Sequence, residues 1–105
     1  MTLIEQPILQ GLKDRLHAAY GDRLMRTVLF GSRARGDGRA DSDYDVAVFL
    51  KGPSSFALDA GVLADIETYI LFDTGAVINA LPFPVGADLQ ARPLMGELRR
   101  EGRDF

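Results

Sequence analysis

A chain of 105 residues, 47% of them hydrophobic, is enough for one domain (1–105) with a modest core and no second folded unit. Its net charge of -3 and pI near 5.0 argue against a nucleic-acid binder held by bulk positive charge, and the lack of cysteine excludes disulfides and thiolate metal sites. No apolar run approaches the ~20 residues of a membrane span, and "MTLIEQPILQ" has neither the basic start nor the cleavage site of a secretory signal, so a cytoplasmic location is expected.

From near Gln6 to Tyr20, the residues Ile8, Leu9, Leu12 and Leu16 recur at helical spacing, with Pro7 in the first turn and Gly21 as a stop. "MRTVLF" (Met25 to Phe30) is short, apolar and β-branched, which predicts a strand. "DYDVAVFL" (Asp43 to Leu50) predicts a second. "KGPSS" breaks the chain and offers Ser54 or Ser55 as an N-cap. From there to Phe72, the residues Leu58, Val62, Leu63, Ile66 and Ile70 predict an amphipathic helix. "AVINALPF" predicts a third strand, ended by Pro82 and Pro84. A last helix is expected from about Pro93 to Glu101, capped by Gly102. The order α-β-loop-β-α-β-α predicts an α/β (α+β) domain, a small mixed sheet with helices packed on it.

The connection between the first two strands, "GSRARGDGRADS", is longer than an ordinary turn and carries charges of both signs. Gly31-Ser32 opens it, ten residues follow, and Asp43-Tyr44-Asp45 closes it. Strand alternation turns Asp43 and Asp45 to one face and Tyr44 to the other. Two carboxylates on one face repel unless a cation lies between them, and hard oxygen ligands of this kind suit Mg²⁺ with substrate phosphates. Gly31 lets a phosphate approach the backbone, and "RARG" has the makings of a short helical turn whose first N–H groups favour an anion. Ser32 adds a hydroxyl, while Arg33 and Arg35 add charge toward a phosphate tail. The loop therefore reads as a triphosphate cradle beside a metal platform.

The spacing GS-x10-DxD between apolar strands resembles the nucleotidyltransferase fold of the DNA polymerase β superfamily, and most of all its minimal (MNT) members, often antitoxins paired with HEPN-domain toxins. The resemblance is close from about Met25 to Leu50 and loose over the whole element order. It implies an ATP substrate, Mg²⁺ (two ions) on the catalytic pair Asp43 and Asp45, and transfer of AMP to a hydroxyl on a protein partner such as a HEPN toxin. It also implies a third carboxylate on the next strand. The only polar side chain of "AVINALPF" is Asn79, which cannot supply that charge. Asp73, just before the strand, would substitute only if its loop folds inward, and Asp65 and Glu67 belong to a helix and are expected to be solvated. Either the register conceals the third acid or the metal site is weakened, and in the second case the domain binds a protein or nucleotide without transfer.

Other features have plainer readings. Asp41 to Asp45 opens like a calcium loop, but Val46 and Gly52 stand where that loop needs glycine and glutamate. Arg39 is expected on a solvated face, Gly36 and Gly38 in turns, and His17 in a structural or exposed place. Arg99, Arg100 and Arg103 complement a helix C-terminus.

Overall fold

The computed structural model describes residues 5–36, 39, 42–53 and 55–105. Gly38 and Ser54 lie outside them. Helix α1 (Glu5–Tyr20) leads through a 3-10 turn (Gly21–Arg23) into strand β1 (Leu24–Phe30). A short helix α2 (Ser32–Arg35), strand β2 (Tyr44–Leu50), helix α3 (Phe56–Thr74) and strand β3 (Ile78–Pro84) follow. A second 3-10 turn (Ala87–Leu89), helix α4 (Pro93–Glu101) and strand β4 (Arg103–Asp104) complete the order. No helix among the described residues is long and apolar enough to cross a membrane.

The sheet order is β3-β2-β1-β4, with β1 antiparallel to β2 and β4, and β2 parallel to β3. It is the expected mixed sheet with one strand more. Alternation along β2 divides the core in two. Tyr44, Val46, Val48 and Leu50 meet Leu9, Leu12 and Leu16 of α1 and Leu63, Ile66 and Ile70 of α3 on one face. On the other face, Ala47 and Phe49 join Val28, Phe30 and Ala87, with Met95 and Leu98 of α4. Helix α4 and its preceding turn thus cover the middle of this second face, while Asp43 and Asp45 stand at its end, exposed and half-buried respectively.

Four expectations change. Strand β3 runs through Pro82 and ends, as expected, at Pro84. Tyr44 N–H donates to Val77 O at 2.8 Å, and Tyr44 is in register with Ile78. In a parallel ladder, Asn79, Leu81 and Phe83 then bond to β2, while positions 80, 82 and 84 face away from it. Ala80 N–H donates to the Glu67 carboxylate, and the prolines have no N–H to leave unpaired, so the open edge is blunted. Glu67 is accordingly half-buried, whereas Asp65 is exposed as expected.

Helix α3 is not cleanly amphipathic: it buries Leu63, Ile66 and Ile70 but leaves Leu58 73% exposed. Its other buried position is Asp59, whose carboxylate lies 3.7 Å from the Arg23 guanidinium. Ser55 caps the helix, its Oγ accepting from Leu58 N–H, and Gly75 ends it in the left-handed conformation. His17 is exposed.

Strand β4 had no apolar pattern to announce it. It is held by Phe105 N–H to Thr27 O at 3.2 Å, and by Arg26 donating through two nitrogens to both Asp104 oxygens at 2.8 and 2.9 Å. Gly102 makes this turn possible: a Cβ there would lie 2.4 Å from Leu98 O and 2.6 Å from a Val28 methyl.

Candidate active site

Strand pairing builds the site. Phe30, the last residue of β1, is paired with Asp45, so the chain leaving β1 must pass beside the Asp45 side chain. The residue that passes is Gly31, at φ 77° and ψ -158°. A Cβ on it would lie 2.5 Å from Asp45 Oδ2, closer than carbon and oxygen can stand. Only glycine meets both demands. Ser32 then starts α2, whose single turn is closed by Arg35 N–H to Gly31 O at 3.1 Å and ended by Gly36 at φ 83°. The "RARG" turn and the Gly36 turn are as expected.

Across the sheet, Asp45 is in parallel register with Asn79. The Asn79 amide reaches both acids, Nδ2 donating to Asp43 Oδ2 at 2.9 Å and to Asp45 Oδ1 at 3.4 Å. Asp43, Asp45 and Asn79 therefore converge on one spot beside the Gly31 backbone. Tyr44 is buried on the opposite strand face, packed into the core as expected.

The remaining residues expected at the site are arranged differently. Arg33 Nε donates to Ser42 O at 2.8 Å, and its guanidinium sits 4.0 Å from the Tyr44 ring centroid. It ties α2 to the segment that carries the carboxylates. Arg35 lies 3.4 Å from Glu97 and 3.5 Å from Glu101, linking α2 to α4. Asp73 is exposed in the last turn of α3, where the helix continues two residues past the expected Phe72. Arg39 is exposed, and its N–H donates to Ser42 Oγ at 2.7 Å.

The donor set can be weighed against a divalent cation. Two carboxylates on one face, with an amide between them, are the hard oxygen ligands that Mg²⁺ accepts alongside phosphate oxygens. Among the described residues no group of three or more acidic or histidine side chains gathers here or elsewhere. The residues fit a cation held jointly by protein and substrate, and they do not form an all-protein cage.

Sequence reasoning missed two things about this site. One is the clamp that Asn79 places on both acids, which depends on the β2–β3 register and not on composition. The other is the stacking of Arg33 on Tyr44, for which the spacing of the residues gives no signal.

Known proteins are similar to this chain in sequence and in fold. The family model described as "Polymerase beta, Nucleotidyltransferase" matches residues 18–80, more than half of the chain. The Methanocaldococcus jannaschii protein named "Putative protein adenylyltransferase MJ0604" is 31% identical over 77 residues, covering 73% of this chain and 71% of that protein. A crystal structure of a mutant MntA-HpeT toxin-antitoxin aligns with a TM-score of 0.62 at 15% identity, over 95% of this chain and 70% of its own. Another, of a toxin-antitoxin with AMP-PNP, aligns with a TM-score of 0.62 at 17% identity, over 97% and 72%. At such identities the two structures speak for the fold. The family match takes in both the Gly31-Ser32 turn and the Asp43/Asp45 pair, and on that footing this chain belongs to the polymerase β-like nucleotidyltransferases.

Proposed function

We propose that the domain transfers AMP from Mg·ATP to a hydroxyl group on a protein partner, a HEPN toxin for which it acts as antitoxin. The observation that carries the reading is the convergence of Asp43 and Asp45 on one spot beside the Gly31 backbone. The relative named as a protein adenylyltransferase and the toxin-antitoxin structures support the choice of nucleotide and partner class.

Asp43 and Asp45 hold the cation, and Gly31 and Ser32 receive the triphosphate where the backbone runs closest to the carboxylates. Arg33 and Arg35 steady the α2 turn from places fixed by protein partners, Arg33 against the Tyr44 ring on the opposite strand face and Arg35 against Glu97 and Glu101. Asp73, in the last turn of α3, forms no group of three with Asp43 and Asp45 and is given no part. Mg²⁺, when bound, neutralises the phosphate oxygens and draws charge from the leaving group. The acceptor oxygen forms a bond to the α-phosphorus as the bond to the β-phosphate oxygen breaks, so pyrophosphate leaves in line. The hydroxyl proton passes to water, because both carboxylates are committed to the cation. The partner brings the acceptor within about 3–3.5 Å of the phosphorus, since the site residues account for triphosphate and metal only.

A second reading is favoured by Asn79. With an amide where the family's third acid would stand, a complex with the toxin would form and block it without transfer. Incubating the protein and its genomic neighbour with Mg·ATP, then weighing the neighbour by mass spectrometry, separates the two. Gains of whole AMP units that Asp43→Ala abolishes support transfer. A tight complex without mass change supports blocking, and no complex removes the antitoxin reading.

A further inference from the structure

We infer that Asn79 sets the metal stoichiometry of the site: it holds the two carboxylates together before a cation arrives and limits the protein to one anchored divalent ion. The inference rests on the nucleotidyltransferase reading of Asp43 and Asp45 and departs from the two-ion arrangement that the resemblance implies.

The geometry assigns the amide both tasks. One –NH₂ group has two hydrogens, and Nδ2 faces Asp43 Oδ2 at 2.9 Å and Asp45 Oδ1 at 3.4 Å. It offsets the repulsion that two carboxylates on one strand face would otherwise feel. The place is imposed by the sheet, since Asn79 is the β3 residue in register with Asp45. A cation between the carboxylates gains two negative charges and takes its remaining ligands from phosphates and water. A second cation would need another anionic oxygen at the corner where Asn79 stands. That corner offers a donor or, if the amide turns, one neutral oxygen. Among the described residues no other acid joins the pair. Asn79 is thus a positioning residue, and the acceptor hydroxyl is left without a metal of its own.

Equilibrium dialysis against Mn²⁺ with a saturating non-hydrolysable ATP analogue, read by electron paramagnetic resonance, counts bound ions per chain. The wild type is expected to hold about one and Asn79→Asp about two, while Asn79→Ser stays at about one. Melting in chelator adds a readout independent of nucleotide. Three carboxylates at one spot should lower the melting temperature of Asn79→Asp below wild type, and Mn²⁺ should raise it by more than it raises wild type. Two ions on the wild type would overturn the inference and leave the nucleotidyltransferase reading standing. One ion on Asn79→Asp would remove Asn79 as the determinant. No ion on the wild type, even with nucleotide, would overturn the underlying reading itself.

Discussion

Gly31 and Asp45 approach so closely that no side chain can stand between them, a Cβ at Gly31 lying 2.5 Å from Asp45 Oδ2. The pairing of Phe30 with Asp45 forces this approach, and the positive φ of 77° adds a second reason for glycine. The same contact that fixes the turn brings backbone to the edge of the proposed phosphate site.

Gly31→Ala therefore has two penalties, left-handed strain of about 1–3 kcal/mol and a displaced Asp45. The melting temperature should fall by roughly 4–8 °C per kcal/mol, and Mg·ATP binding by calorimetry should fall with it. An alanine variant that melts and binds like wild type would show that the approach is not required.

Gly102→Ala tests the seat of the C-terminal strand. The added methyl would meet Leu98 O at 2.4 Å and a Val28 methyl at 2.6 Å, both fixed in the core. Overpacking of this kind costs about 1–3 kcal/mol. Amide hydrogen exchange should speed up at Phe105, whose N–H bonds to Thr27 O, while exchange in α1 changes little. Equal exchange at Phe105 in both proteins would count against the account.

Most of the architecture was legible because alternation in β2 and spacing in α1 repeat over enough residues to outvote single exceptions. Asp43 and Asp45 share a face for the same reason. What escaped was decided by pairing. Strand β4 is two charged residues held by Arg26, Asp88 binds that same Arg26, and neither has a periodic signal. Pro82 and Pro84 were read as breakers, yet the parallel register points both away from β2, where a missing N–H does no harm. The burial of Asp59 has no periodic signal either, since it depends on Arg23 lying beside it from the turn before β1.

Glu67 yields a pH prediction. Burial pushes its carboxyl above the ordinary value, and the Ala80 N–H it accepts brings it only part of the way back. The folded state thus holds this proton more tightly than the unfolded chain. The stabilisation is complete below the unfolded pKa and is lost as pH rises through the folded one. Glu67→Gln keeps an oxygen for Ala80 and removes the titration. Its stability relative to wild type should rise with pH from about 4 upward, measured by urea unfolding at a series of pH values. Parallel curves for the two proteins would refute it.

Asp45→Asn separates stability from function at the proposed metal site. In the metal-free protein Asp43 and Asp45 repel, and among the described residues the Asn79 amide stands between them. Replacing one carboxylate by an amide removes that repulsion at nearly constant volume, so the variant should melt in chelator at or above the wild-type temperature. With Mg·ATP the order should reverse. The cation then faces one negative charge instead of two, and the triphosphate loses the ion that joins it to the protein. Loss of a charge-assisted ligand pair is worth about 1.5–3 kcal/mol, or roughly 10- to 150-fold in the dissociation constant. Asp43→Asn should behave alike in binding, but Asp43 is exposed while Asp45 is half-buried against Gly31. The gain in metal-free stability should therefore be larger for Asp45→Asn. Calorimetry with Mg·ATP and melting in chelator on the two variants check both orders. Wild-type affinity in Asp45→Asn, or a clear loss of metal-free stability, would mean that Asp45 serves the fold and not the cation.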